Sequence, residues 1–236
     1  MKKQRILSGL LALCIVFSLV PTALAEKADD FTDVSRSDWY YQFVDYVTSK
    51  GYFNGTAETT FAPAENMTRA MFVTVLFRFH GAKGDSSQSA FTDVAPGEWY
   101  TAAINWAAAN KIVDGVGNGK FAPNDPITRA EIAAMIARCD GNSYGNAYTN
   151  FSDVKGHWAA NYIARAYELG WINGYPDSTF RPDQYITRAE AMTLVNRVLN
   201  RLPEKSEDLL DDMIKWPDNA DASVWDYLAV QEATNS

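Results

Sequence analysis

The chain has 236 residues, of which 47% are apolar, 13% aromatic and 21% charged. That composition excludes a disordered chain and predicts one or two folded domains. The formal net charge of −8 excludes recognition of nucleic acid or another polyanion through bulk charge, which needs a basic face. An anionic ligand must be gripped by a few placed cations.

The first predicted element is an export signal over residues 1–25. Lys2, Lys3 and Arg5 precede an apolar run from Ile6 to Val20, and Ala23-Leu24-Ala25 forms a small-x-small cleavage site. The run is short for a bilayer span, and no later run is long enough, so the exported form is expected to carry no membrane span. Removing Lys2, Lys3 and Arg5 with the signal takes the charge from −8 to −11. Cys14 follows the bulky Leu13 inside the apolar run, which argues against lipidation. Cys139 is then the single remaining cysteine. It cannot form an intramolecular disulfide, and its place near Met135 and Ile136 predicts a small buried hydrophobe.

After the signal the sequence repeats. Phe31-Thr-Asp33-Val34 recurs as Phe91-Thr-Asp93-Val94 and as Phe151-Ser-Asp153-Val154, at a spacing of 60 residues. Trp39, Trp99 and Trp158 follow. Next come Asn54-Gly55, Asp114-Gly115 and Asn173-Gly174, then Phe61-Ala-Pro63, Phe121-Ala-Pro123 and Phe180-Arg-Pro182. Each copy closes with Thr68-Arg69-Ala70, Thr128-Arg129-Ala130 or Thr187-Arg188-Ala189, and later Arg78, Arg138 and Arg197 align. The units are assigned to residues 26–80, 91–140 and 151–200.

Each unit reads as helix, loop, helix. Tyr100, Ala103, Ile104 and Ala107 form one apolar face of a first helix, as do Ala159, Tyr162, Ile163 and Ala166. The Asn/Asp-Gly pair suits a turn with positive φ, and the proline predicts an extended Phe-x-Pro segment. Thr128-Arg-Ala-Glu131 and Thr187-Arg-Ala-Glu190 are capping boxes that start a second helix, whereas the first copy has Met71 in the Glu position. One such unit is marginal alone. Three are expected to bury their first-helix faces against each other around a pseudo-threefold axis. Residues 201–236 hold an acidic connector, Pro203 to Asp212, and a partial half-unit around Trp216-Pro-Asp218 and Trp225-Asp-Tyr227, expected to dock on the other three units or recruit a partner.

These ordered motifs, three times over, resemble the S-layer homology domain across roughly residues 31–199. The resemblance implies an all-α fold, a three-pronged spindle of three helix-loop-helix repeats with a central helical bundle. It implies a secreted, non-catalytic module at the cell surface that attaches to secondary cell-wall polysaccharide of Gram-positive-type bacteria, often through a pyruvylated amino sugar. An envelope or S-layer assembly protein acting through protein contacts is the alternative. In the family the Thr-Arg-Ala-Glu segment and the loops beside the Trp line the grooves between prongs.

Arg69, Arg129 and Arg188 each open a helix, where a cation opposes the helix dipole. An anion nearby accounts for all three, since a guanidinium fork at a helix N-terminus suits a carboxylate. Pairing with a local acid, such as the capping Glu or the repeat Asp, remains open and is compatible with ligand binding. Trp39, Trp99 and Trp158 are either sugar platforms or core aromatics beside the first helix. Asp33, Asp93 and Asp153 either accept sugar hydroxyls or, as favoured, cap that helix. Gly55, Gly115 and Gly174 are expected to serve turn geometry and secondarily to expose backbone amides. Lys120 is an extra cation of the second copy alone. No catalytic site, cofactor or metal site is expected: His80 and His157 are far apart in sequence, and no nucleophile, phosphate or dinucleotide motif occurs.

Overall fold

A computed structural model describes residues 26–139 and 149–198. The export signal, part of the second linker and the tail lie outside the described residues. A short 3-10 turn, Ala28–Asp30, precedes six helices: α1 (Tyr41–Ser49), α2 (Arg69–Phe79), α3 (Thr101–Ala109), α4 (Arg129–Cys139), α5 (Ala160–Glu168) and α6 (Arg188–Val198). Each repeat contributes one short and one longer helix, and among the described residues no strand forms beyond isolated bridges. The all-α class is therefore the observed one.

The second helices are the more deeply buried. In α4 Ala130 and the whole run from Ile132 to Ala137 are buried, and α6 is buried from Ala191 to Asn196 as well as at its start. Such runs of consecutive buried residues, wider than a single helical face, belong in a core. The first helices bury one face: Ala103, Ile104 and Ala107 of α3, and Ile163 and Ala166 of α5, are buried. Their main packing partners are second helices rather than each other. Helix α2 packs on α3, α4 on α5 and α6 on α1, so each second helix carries the first helix of the next repeat and the third repeat returns to the first.

Backbone hydrogen bonds close the same cycle. The Ile127 amide donates to the Met67 carbonyl (2.9 Å), Met67 to Ile186 (2.9 Å) and Ile186 to Ile127 (3.3 Å). The next amides also cross between repeats. Arg69, Arg129 and Arg188 donate their backbone N–H to the carbonyls of Asp125, Gln184 and Glu65, and Ala70, Ala130 and Ala189 to those of Pro123, Pro182 and Pro63. The third helical amide goes to the N-cap threonine: Met71 to Thr68 Oγ1 (3.3 Å), Glu131 to Thr128 Oγ1 (3.2 Å) and Glu190 to Thr187 Oγ1 (3.2 Å). Both capping boxes are completed by the return bonds from Thr128 N to Glu131 Oε2 (2.9 Å) and Thr187 N to Glu190 Oε2 (2.7 Å). The first three orphan amides of every second helix are thus consumed by protein.

The Phe-x-Pro segment is not extended. Ala62, Ala122 and Arg181 have φ of 58°, 57° and 56°. Left-handed backbone avoids the α conformation that the following proline disfavours, at a cost of about 1–2 kcal/mol per residue. The repeat aspartates offset it. Asp33 accepts from the amides of Phe61 (2.8 Å) and Ala62 (2.7 Å), Asp93 from Phe121 and Ala122 (both 2.8 Å), and Asp153 from Phe180 (2.8 Å) and Arg181 (2.7 Å).

Candidate anion-binding grooves

Three grooves follow the cycle, and each takes walls from neighbouring repeats. The first is lined by Asn54, Gly55, Met71 and Arg78 of repeat one, Trp99 of repeat two and Arg188 of repeat three. The second holds Asp114, Gly115, Glu131 and Arg138 of repeat two, Trp158 of repeat three and Arg69 of repeat one. The third holds Asn173, Gly174, Tyr175, Glu190 and Arg197 of repeat three with Arg129 of repeat two.

The three helix-opening arginines take equivalent positions with different neighbours. Arg188 is 3% exposed. Its Nε donates to the Phe61 carbonyl and its Nη2 to the Asn54 carbonyl (both 2.9 Å), and Nη1 faces Met71 Sδ at 3.7 Å. Its guanidinium lies over the Phe61 ring, 4.5 Å from the centroid. Arg129 repeats the pattern, with Nε to the Phe180 carbonyl (2.8 Å), Nη2 to the Asn173 carbonyl (3.0 Å), and the Phe180 and Tyr175 rings at 4.6 and 4.9 Å. Arg69, 5% exposed, bonds the Phe121 carbonyl through Nε (2.9 Å) but turns Nη1 onto the Glu131 carboxylate.

The cause is the cyclic packing. Each arginine faces the third residue of the next repeat's second helix: Glu131 for Arg69, Glu190 for Arg129 and Met71 for Arg188. Met71 therefore changes the groove of Arg188. A reading confined to one repeat assigns it to the groove of Arg69, because it cannot see that the helices exchange partners. Glu190 directs Oε2 to Thr187, and among the described residues Arg129 and Arg188 have no carboxylate within ion-pair distance.

Burial acts on these cations accordingly. Desolvation lowers the Arg188 pKa to about 10, weakly opposed by Asp33, and lowers that of Arg129, with Tyr175 and Glu190 opposing. The later arginines, which sequence alignment registered but did not place in a site, show the same contrast. Arg78 donates to the Tyr52 carbonyl (3.3 Å) and to Asn54 Oδ1 (3.1 Å), and burial lowers its pKa. Arg138 also suffers desolvation, but the Tyr162 hydroxyl and Asp114, 2.6 Å from Nη2, more than offset it and raise its pKa. The second groove therefore pairs both arginines with acids, whereas the walls named for the first contain two arginines and no acid.

The other expected site residues divide. Trp99 and Trp158 are 57% and 59% exposed at the rims of the first and second grooves. Trp39 packs edge-on to Tyr40 and Phe43 and is absent from the walls of the third. The carboxylates of Asp33, Asp93 and Asp153 hold the Phe-x-Pro amides rather than the first helices. Burial raises the Asp93 carboxyl, and the Phe121 and Ala122 amides outweigh it and leave the pKa below its ordinary value. Gly115 has φ of 79°, but Gly55 and Gly174 are required by close approach: a Cβ at Gly55 would stand 2.5 Å from Phe31 Cε1, and one at Gly174 2.7 Å from the Thr179 carbonyl. Lys120 is exposed and lies outside the walls of the second groove. Cys139 is half-buried, its thiol pushed up to about 12 by burial. Among the described residues no helix is long and apolar enough to cross a membrane, and no cluster of metal-ligating side chains occurs.

The chain resembles modules carried by much larger proteins. Cell surface glycoprotein 1 of Acetivibrio thermocellus is 34% identical over 168 residues, 65% of this chain and 7% of that protein. The cellulosome-anchoring protein of the same species is 36% identical over 163 residues, 65% of this chain and 36% of that protein. Exoglucanase XynX, also from A. thermocellus, is 32% identical over 196 residues, 80% of this chain and 18% of the enzyme. This chain thus spans between 7% and 36% of these relatives' lengths. The S-layer homology domain model matches residues 30–71, 90–133 and 150–192, more than half of the chain, at the three repeats whose loops and helix starts build the grooves; the chain belongs to the S-layer homology domain family.

Proposed function

We propose that this protein is a secreted, non-catalytic anchor that binds a secondary cell-wall polysaccharide at the bacterial surface, gripping a carboxylate of the glycan in the first and third grooves. A pyruvyl ketal on an amino sugar supplies such a carboxylate beside a ring of suitable size, with Trp99 as a platform at the first groove. The observation that carries the reading is the pair of buried guanidinium groups, Arg188 and Arg129, with no carboxylate partner among the described residues. A desolvated cation without a counter-charge is costly, and an incoming carboxylate relieves that cost. The grip comes from the guanidinium and, in the third groove, from the Gly174 amide, because the helix N-terminal amides are already taken. Relatives named as a cellulosome-anchoring protein and as the S-layer protein sap of Bacillus anthracis support attachment at the cell surface. The match to 18% of an exoglucanase suits a module that accompanies diverse partners.

The test is binding of purified wall polysaccharide to Arg129→Ala, Arg188→Ala and Arg69→Ala. Loss of a charge-assisted contact worth roughly 1.5–3 kcal/mol weakens binding at the groove concerned by about one to two decades for the first two, and far less for Arg69→Ala. Equal losses at all three contradict the assignment of grooves. Self-association without glycan, with no glycan binding, favours an assembly protein instead.

A further inference from the structure

The first groove differs from the others in one further respect: its loop-glycine amide already donates to a carboxylate of the chain itself. Glu26 Oε2 accepts from the Gly55 amide at 2.8 Å, across 29 residues of sequence. Gly55 lies on the wall shared by Asn54, Arg78 and Arg188, and Glu26 opposes the loss of charge that burial imposes on Arg78. The equivalent amides of Gly115 and Gly174 have no acceptor among the described residues.

Glu26 is held there by a fixed strap. Ala28 is fully buried and donates its amide to Asp45 Oδ1 on α1 (3.1 Å). The Lys27 amide donates to Asp30 Oδ2 (2.8 Å). Asp29 binds Arg36 through both oxygens (3.0 and 2.5 Å) and accepts from the Tyr41 hydroxyl (2.6 Å). Two residues before a buried anchor, Glu26 is kept close to the Gly55 amide.

We infer that the first groove is self-occupied: Glu26 fills its carboxylate subsite and competes with the acidic group of the glycan. The inference rests on the function proposed above. A tethered carboxylate acts at an effective concentration in the millimolar range or higher. The apparent affinity of the first groove is reduced by the fraction of time for which it is open. The third groove, where among the described residues Arg129 has no carboxylate partner and the Gly174 amide no acceptor, then binds first. The first responds only when the strap is displaced.

The amides of Gly55 and Gly174 report the two grooves separately by NMR. The secreted chain is titrated with a monovalent amino-sugar glycoside carrying one pyruvyl ketal, beside Glu26→Gln, which keeps the shape and removes the charge, and Glu26→Ala, which removes both. The glycoside is expected to shift Gly174 alike in all three proteins. It is expected to shift Gly55 at about tenfold lower concentration in the two variants than in the parent, the ratio for a groove open about one-tenth of the time. The unchanged Gly174 response doubles as the control for folding. An identical Gly55 midpoint in all three proteins, with Gly174 responding, overturns the inference and leaves the proposed function standing. No response at either glycine in any protein overturns both.

Discussion

Residue 71 decides the charge of the first groove. Met71→Glu places a carboxylate where Glu131 stands against Arg69. It is expected to pair with Arg188, raise the lowered Arg188 pKa and weaken glycan binding at the first groove by at least tenfold. The same change completes a capping box at Thr68, so stability rises by about 0.5–2 kcal/mol and the melting temperature with it. Loss of ligand with gain of stability distinguishes neutralisation from unfolding, and calorimetry beside thermal melts checks both. The reciprocal change, Glu131→Met, frees Arg69 and is expected to give the second groove measurable affinity. Unchanged binding in both variants contradicts the charge argument. The arginines were legible in the sequence because a thrice-repeated cation at a helix start asks for an explanation. Their partners were not, because Glu131 and Met71 act on the arginine of the preceding repeat in the cycle, and that relation exists only after folding.

At the scale of the element, the Phe-x-Pro loop and the aspartate beneath it form one unit. Asp33→Asn, Asp93→Asn or Asp153→Asn replaces one accepting oxygen with a donor against a backbone amide. Each is expected to destabilise the fold by about 1–3 kcal/mol, read as a lower urea midpoint. A midpoint unchanged in all three would refute the role. Sequence placed these aspartates on the first helix because Asp before a helix is a common cap; nothing local reveals two acceptor bonds spanning 28 and 29 residues. The strap is a second element with a predictable response. Arg36 first, then Tyr41, hold the Asp29 carboxyl at about 2, below its ordinary 3.8. A carboxylate lowered in the folded state stabilises it above the ordinary value and loses that contribution as pH falls from about 4 through 2. The strap is expected to loosen in that window, seen as faster amide exchange at Ala28. Constant exchange from pH 5 to pH 2 contradicts it.

Across the whole molecule, the repeats complete one another. The helix starts, the Met67–Ile186–Ile127 hydrogen bonds and the groove arginines each cross a repeat boundary, so folding is expected to be all-or-none. Removing residues 149–236 deprives α4 of the carbonyls of Gln184 and Pro182 and is expected to abolish the helical signal of the whole chain rather than a third of it. Coincident circular dichroism and tryptophan fluorescence transitions check the intact protein; a truncated chain that retains two-thirds of its helix contradicts the closure. The number of units and the helical class were legible from a spacing of 60 residues and from Thr-Arg-Ala-Glu. Which helices are most deeply buried was not, because the second helices mix Arg, Glu, Thr and Asn with their apolar residues and do not stand out as the more apolar pair. The central claim is that Arg129 and Arg188 hold a carboxylate of the wall glycan. Its most direct test is affinity for purified wall polysaccharide before and after chemical removal of pyruvyl groups. The account predicts tight binding before and a loss of at least tenfold after; equal binding to both preparations would contradict it.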